Sequence, residues 1–211
     1  MTGGRGLGRA DEPVVVCVCG MAGSGKSTLG RRLARKYGLG YFSGGDALKA
    51  LAVDEGFGQV ERGWWESVEG LRFLERRGED SRFDRAIDGK LLEFAKGGNV
   101  VLDSWTMPWL FDGGFKVWLG ASPEKRAKRI ARRDGMGFDE ALEALRVKEA
   151  RTRSIYRRLY GFRLGEDFGP FHLILDTDSL GASEVFGVLC MVMDEYLLRR
   201  WAKQPSVSSR F

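Results

Sequence analysis

The stretch Gly20-Met21-Ala22-Gly23-Ser24-Gly25-Lys26-Ser27 matches the pattern G-x-x-x-x-G-K-[ST] at every fixed position, and Thr28 follows it. Upstream, Pro13-Val14-Val15-Val16-Cys17-Val18-Cys19 is continuously apolar and β-branched, the pattern of a buried parallel strand. Downstream, Lys26 to Tyr37 sets Leu29, Leu33 and Tyr37 on one stripe with Arg31, Arg32, Arg35 and Lys36 between them, which predicts a helix with one buried face. A strand, a glycine turn and a helix N-terminus in this order make an anion cradle. Glycines let backbone N–H groups converge on phosphate oxygens, and the helix end adds partial positive charge. The expected contacts are Ala22, Gly23, Ser24, Gly25, Lys26, Ser27 and Thr28. Lys26 is placed to reach β- and γ-phosphates, and the Ser27 hydroxyl to ligate Mg²⁺. The stretch therefore implies a bound nucleoside triphosphate.

The rest of the chain is compatible with that. Its 211 residues suit one domain with sub-elements, and 43% hydrophobic residues suit a globular core. A net charge of +5 fits phosphorylated small substrates and nucleic acid alike. Cys17, Cys19 and Cys190 give no metal-binding spacing and read as buried thiols, the first two on one face of a strand. No apolar run has the length of a membrane span, and the N-terminus has no signal-peptide pattern, so the expected location is the cytoplasm.

In chain order, Met1 to Arg9 is glycine-rich and basic and is expected to fray. Strands are predicted at about Val14–Cys19, Leu39–Phe42, Asn99–Asp103, Phe115–Leu119 and Phe171–Asp176, the last as a buried strand. Gly38 is the expected stop of the first helix. A short helix is predicted at Ala47–Val53, then a mainly helical region from Gly56 to Gly98, broken into pieces by Gly63, Gly70 and Gly78. Ser122-Pro123 opens a helix that runs to about Asp134. Further helices are predicted at Phe138–Leu159 and from Ala182 to about Trp201, before a polar tail from Lys203. Alternating strands and helices give an α/β fold, a five-stranded parallel sheet with helices on both faces. Ligands gather beyond the carboxyl ends of such strands. That brings Gly20–Ser27, Ser43–Asp46, Asp103–Thr106 and Asp176–Asp178 around one crevice.

Asp103 closes an apolar strand, the place from which an acid commonly holds Mg²⁺ beside a phosphate loop; the alternative is a cap for the next turn. Asp46, in Ser43-Gly44-Gly45-Asp46, reads equally as a helix N-cap and as a contact to an acceptor substrate. Between Lys125 and Arg158 the chain is crowded with arginine. Most of these suit a solvated face, but two or three are expected to close over the charge of a transferring phosphoryl group, Arg153 first, then Arg129 and Arg126. His172, the one histidine, needs no catalytic reading. Trp64 and Trp65 read as packing, whereas Trp105 and Trp109 follow Asp103 toward the crevice.

These pieces resemble the archaeal-type cytidylate kinases, within the nucleoside monophosphate kinases. The resemblance spans about Val14 to Leu198. It rests on Gly20–Thr28, on Tyr41-Phe42-Ser43-Gly44-Gly45-Asp46 in place of a Ser-x-Gly-Asp motif, and on Gly97–Asp103. It rests also on Arg126–Arg133, on Arg153–Gly161 with its Arg-x-x-Tyr-x-x-x-Tyr-Gly pattern, and on Leu175-Asp176-Thr177. It implies a P-loop kinase fold with a mobile acceptor-binding lobe at about 45–97 and an Arg-rich lid at about 125–160. It also implies that ATP, with Mg²⁺ held at Ser27 and Asp103, donates a phosphoryl group to CMP or dCMP. A monomer without membrane partners is the expected state. Lys26, Arg129 and Arg153 take the catalytic places, and Asp46, Lys49 and Trp105 the acceptor places. Two departures fall on the acceptor side. Ser104-Trp105 stand where the family has a Gly-Arg pair whose arginine holds the acceptor's phosphate, and Lys49 stands where it often has arginine. Lysine does not reproduce a forked arginine contact. Arg62, Arg72, Arg82 and Arg85 are the candidate replacements, and another small acceptor, such as shikimate or dephospho-coenzyme A, is the alternative. A nucleic-acid-linked nucleotide switch built on the Arg-rich helix is a weaker reading, because no RNA-binding motif or long basic tail accompanies it.

Overall fold

The computed structural model describes residues 13–58 and 63–202. The expected fraying of Met1–Arg9, Arg62 and the tail from Lys203 lie outside the described residues. Five strands, β1 (Val15–Cys19), β2 (Gly40–Ser43), β3 (Val100–Asp103), β4 (Phe115–Gly120) and β5 (Leu173–Asp176), form one sheet in the order β2-β3-β1-β4-β5. Every pair is parallel. The chain turns to opposite sides of β1, which places the crevice at the carboxyl end of that strand. Register brings Asp103 level with Val18 on β1 and Ser43 on β2.

The inner strands β1, β3 and β4 are buried on both faces because both are covered. On one face Val16, Val18, Val117 and Leu119 meet α1 (Lys26–Tyr37) and α8 (Ala182–Ala202) through Leu29, Leu33 and Leu189. On the other, Val15, Cys17 and Leu102 meet α2 (Gly44–Asp54), α3 (Val68–Glu79) and α4 (Arg82–Gly97) through Leu48, Phe73 and Leu91. Burial raises the Cys17 thiol to about 12, so it stays protonated, as an inert core residue should. Two further helices, α6 (Pro123–Asp134) and α7 (Phe138–Tyr160), pack on each other, and α7 also packs on α3 and on a 3₁₀ turn at Trp64–Glu66. Ser122 caps α6 as expected, its hydroxyl accepting from the Lys125 N–H, and Gly38 ends α1 at φ 65°.

Three expectations differ from the structure, and one helix was not expected. β5 is an edge strand, not a buried one, and Ile174 is 55% exposed. α2 starts at Gly44 because Ser43, not Asp46, is its cap: the Ser43 hydroxyl accepts from the Asp46 N–H at 3.1 Å. Gly70 and Gly78 do not break the helical region, since α3 runs through both. A Cβ on Gly70 would sit 2.1 Å from the Trp64 carbonyl oxygen, so this glycine permits close packing of α3 on the 3₁₀ turn. The short helix α5 (Met107–Leu110) follows β3 with only four residues, too few to show a period.

Candidate active site

The phosphate loop begins where β1 ends. Gly20 has φ 145°, and a Cβ there would lie 2.4 Å from the Leu119 carbonyl oxygen; Gly23 has φ 76°, and its Cβ would lie 2.8 Å from the Arg126 carbonyl oxygen. The loop is thus pressed between β4 and α6 at points where only glycine fits. Lys26 bends back so that Nζ donates to the Met21 carbonyl at 3.1 Å. Burial lowers its pKa, and the Asp103 carboxylate opposes the shift. Ser24 is 2% exposed, and among the described residues its hydroxyl has no hydrogen-bond partner. A buried unpaired hydroxyl is costly, and a phosphate oxygen is the partner this loop is shaped to supply. The Ser27 hydroxyl donates to Asp103 Oδ2 at 2.5 Å, and the Tyr41 hydroxyl donates to the same oxygen at 3.0 Å.

Thus Ser27 and Asp103, the two expected Mg²⁺ ligands, converge. Among the described residues no group of three His, Cys, Asp or Glu side chains could hold a metal. A cation held here by one hydroxyl and one carboxylate needs phosphate and water oxygens to complete an octahedron, which is the usual condition of nucleotide-bound Mg²⁺.

The loop opens on a cleft of about 830 Å³, lined from Ala22 to Leu29, within the size range of ligand pockets. At one end lie Lys125, Arg129, Thr177 and Leu180. Arg129 ties this end to the loop: Nη2 donates to the Thr177 carbonyl at 2.9 Å, and Nη1 to Thr177 Oγ1 at 3.3 Å and to the Gly23 and Ser24 carbonyls at 3.4 Å. Arg126 is 4% exposed and pairs with Glu149 of α7 while donating to the Ala22 carbonyl at 3.1 Å and the Ala121 carbonyl at 2.9 Å. It fastens α6, α7 and the loop together, and its donors are spent on that.

The other end lies under α2, α4 and α7. Asp46 reaches the cleft rim and pairs with Arg31 at 3.0 Å, both groups more than half exposed. Trp105 lies beneath the loop, its indole N–H donating to the Gly20 carbonyl at 2.6 Å and its ring 5.4 Å from Lys26 Nζ. Lys49 and Arg153 do not line the cleft; Lys49 is half-buried on α2 and Arg153 is exposed on α7. Arg72 and Arg82 pair with Glu69 and Asp80 outside it, and Arg85 is exposed. Trp109 does not line it either: it stacks on Phe162 with ring centroids 4.0 Å apart.

Several cleft residues were not singled out by sequence. Lys148 of α7 is 7% exposed; its Nζ lies 3.3 Å from Glu66, 4.9 Å from the Trp65 ring and 6.0 Å from the Trp105 ring. Burial lowers its pKa, and Glu66 opposes the shift. Glu66 also takes Arg133 at 3.2 Å. On α4, Asp84 receives a forked contact from buried Arg77 at 2.5 and 3.2 Å, and Tyr156 lies 3.3 Å from the same guanidinium. One turn on, Asp88 accepts from Thr106 Oγ1 and from the Tyr160 hydroxyl, each at 2.6 Å. Burial raises the Asp88 carboxyl to about 6, against the pull of those two hydroxyls. The available signal was the spacing Asp84…Asp88, two acids one turn apart on the apolar side of a helix.

Comparison with known proteins places this geometry. The AAA domain family matches residues 16–149. The cytidylate kinase of Ignicoccus hospitalis is 36% identical over 173 residues, 81% of this chain and 94% of the relative. Those of Pyrococcus horikoshii (30% over 184 residues) and Thermococcus kodakarensis (32% over 182 residues) cover 87% and 86% of this chain and 90% and 88% of the relatives. Among solved structures, an uncharacterized protein from Eubacterium ventriosum superposes with TM-score 0.56 at 13% identity, covering 86% of this chain and 98% of that one. A shikimate kinase from Bacteroides thetaiotaomicron superposes with TM-score 0.52 at 19% identity, covering 88% and 99%; at such identities the likeness is one of fold. With its phosphate loop, its strand-end acid and relatives matched over most of their length, the chain belongs to the cytidylate kinase family.

Proposed function

We propose that the protein transfers the γ-phosphoryl group of ATP to a nucleoside monophosphate, with CMP or dCMP as the acceptor, and that it does so as a monomer in the cytoplasm. The observation that carries this reading is the convergence of Lys26, Ser27 and Asp103 at the middle of one cleft, with a donor end at Arg129 and Thr177 and a separate acceptor end at Trp65, Asp84 and Asp88. Family membership supports the choice of acceptor. The segment at about 45–97 acts as acceptor lobe and the segment at about 125–160 as lid, within a single domain.

Each residue has a task in this scheme. Backbone N–H groups from Ala22 to Thr28 and the Ser24 hydroxyl bind the donor's phosphates. Lys26 exchanges the Met21 carbonyl for a phosphate oxygen and neutralises charge as the bond to the leaving group breaks. Ser27 and Asp103 hold Mg²⁺, which screens the negative charge that would repel an incoming oxygen nucleophile. Arg129, already seated on the loop, orients the donor end. Asp46 and Trp105 border the acceptor. Arg77, Arg133 and Lys148 are all engaged by carboxylates, but Arg133 has Asp134 as well as Glu66; Lys148, between two indole rings, can leave Glu66 to Arg133 and is the cation that meets the acceptor's phosphate. Buried walls around Lys26 and Lys148 keep water from intercepting the phosphoryl group.

The engagement of both arginines by carboxylates also gives a second reading substance: an acceptor that carries no phosphate, as in shikimate-type kinases. Steady-state ADP release measured with ATP, Mg²⁺ and CMP, dCMP, UMP, AMP, GMP, shikimate or dephospho-coenzyme A separates the two. Turnover highest with CMP or dCMP is expected. Turnover with shikimate alone supports the second reading; turnover with dephospho-coenzyme A alone, which bears a diphosphate and is not a nucleoside monophosphate, contradicts both, as does none above background hydrolysis with any acceptor.

A further inference from the structure

The Arg-rich helix α7 has two faces with different fates. Lys148, Glu149, Thr152 and Tyr156 are buried toward the cleft and the core. The opposite face, with the loop after the helix, forms a second cavity of about 410 Å³, lined by Arg153, Ser154, Arg157, Arg158, Arg163 and Glu166. None of these residues lines the cleft. Four guanidiniums therefore share one concavity with a single carboxylate.

Their partners are few. Arg158 donates to the Gly78 carbonyl at 2.5 Å. Arg163 and Glu166 are 3.8 Å apart and both more than half exposed, a loose pair. Among the described residues, no hydrogen bond or ion pair engages the guanidinium of Arg153 or Arg157. These two stand four residues apart on α7, where like charges repel. The helix end accounts for Arg157 and Arg158, since cations suit its free carbonyls. It does not account for Arg153, two turns inside, or Arg163, beyond the helix. The cleft arginines show the contrast: Arg31, Arg77 and Arg133 are each matched to a carboxylate, and Arg129 donates to loop carbonyls and to Thr177.

We infer that this cavity is a second phosphate site, separate from the cleft, for an oligophosphate anion such as inorganic tripolyphosphate or the phosphate chain of a free nucleoside triphosphate. The excess of three positive charges calls for a multiply charged anion more than for a single phosphate monoester. Arginine's planar fork suits clustered phosphate oxygens. The volume is that of a small-ligand pocket. No aromatic ring lines it, so recognition falls on the phosphates rather than on a base. The site backs onto the phosphate loop: a Cβ on Gly165 would lie 3.2 Å from Arg153 Nη2 and 3.5 Å from Met21 Sδ.

The test is calorimetric titration of the full chain with inorganic tripolyphosphate, which the cleft loop also binds, so that sites are counted. Two sites are expected in the wild type and one in the double variant Arg157→Glu/Arg163→Glu, with the melting temperature kept. Lys26→Ala is expected to weaken the cleft site and leave the second. A parallel arm uses a ten-nucleotide single-stranded RNA. One site in the wild type, or an unchanged count in the double variant, overturns the inference. So does RNA binding abolished by Arg157→Glu/Arg163→Glu while tripolyphosphate occupies the cleft alone, since the arginines then serve a nucleic-acid backbone. A kinase assay that fails while two sites are counted bears on the proposed reaction and not on this site.

Discussion

The Ser27 hydroxyl donates to Asp103 Oδ2 at 2.5 Å across 76 residues of chain, joining the first turn of α1 to the last residue of β3. Tyr41 from β2 donates to the same oxygen. Three elements thus fix one carboxylate beside the phosphate loop. Asp103→Asn keeps the volume and removes the charge. Its Mg²⁺-dependent ATP affinity is expected to fall about 10–100-fold, the usual cost of losing a partner at a metal site, with the fold retained. Titration of ATP at varied Mg²⁺, alongside thermal melting, checks this.

Arg126 and Glu149 form a buried ion pair that locks α6 to α7. Removing one partner leaves the other charged and unpaired. Arg126→Met is expected to cost about 3–5 kcal/mol in urea unfolding. Arg126→Met/Glu149→Leu should be less destabilised than the single variant, although the Ala22 and Ala121 carbonyls lose a donor in both. Equal losses would mean that the arginine's carbonyl contacts, rather than the pair, hold the helices.

Two glycines of α3 give opposite expectations. Gly70→Ala drives a methyl group into the Trp64 carbonyl and should destabilise by about 1–3 kcal/mol or more, as overpacked sites do. A Cβ on Gly78 meets nothing within 4 Å, so Gly78→Ala should stabilise by about 0.5–1 kcal/mol through helix propensity. Chemical denaturation of the pair decides whether close packing on the 3₁₀ turn is the reason for Gly70.

Asp88 carries a pH signature. Its carboxyl sits at about 6 in the folded chain, above its ordinary value near 4, because burial disfavours the charged form. Between those values the folded state holds more protons than the unfolded state. Stability therefore falls as pH rises from about 4 to about 6 by this group, and does not change further above that window. Subtracting the Asp88→Asn stability curve from the wild-type curve should isolate this leg. A flat difference between pH 4 and 6 would place the carboxyl at its ordinary value.

The fold was legible because its signals are local. A continuous apolar run, a glycine loop and an Arg-spaced Leu stripe specify strand, turn and helix within 25 residues, and Asp103 ends a strand that reads the same way. Ser27 and Asp103 could be paired in advance because a parallel sheet brings strand ends together. The cleft end that we propose for the acceptor was legible only in Asp46 and Trp105. Arg77 finds Asp84, and Lys148 finds Glu66 82 residues away, only once α3, α4, α7 and the 3₁₀ turn at Trp64–Glu66 pack. Arg153 illustrates the converse: on α7, Lys148 and Thr152 turn inward and Arg153, the next residue, turns out, a distinction of about 100° that an arginine-dense sequence hides.

The central claim is that Lys26 and its loop deliver the γ-phosphoryl group of ATP to a nucleotide in the same cleft. Transfer of labelled γ-phosphate from ATP to CMP, read as labelled CDP with Mg²⁺ present, tests it most directly. Labelled CDP from the wild type, reduced about 100-fold or more in Lys26→Ala as for loss of a major charge-stabilising group, is the expected result. Undiminished CDP formation by Lys26→Ala, or none from the wild type, would contradict the account.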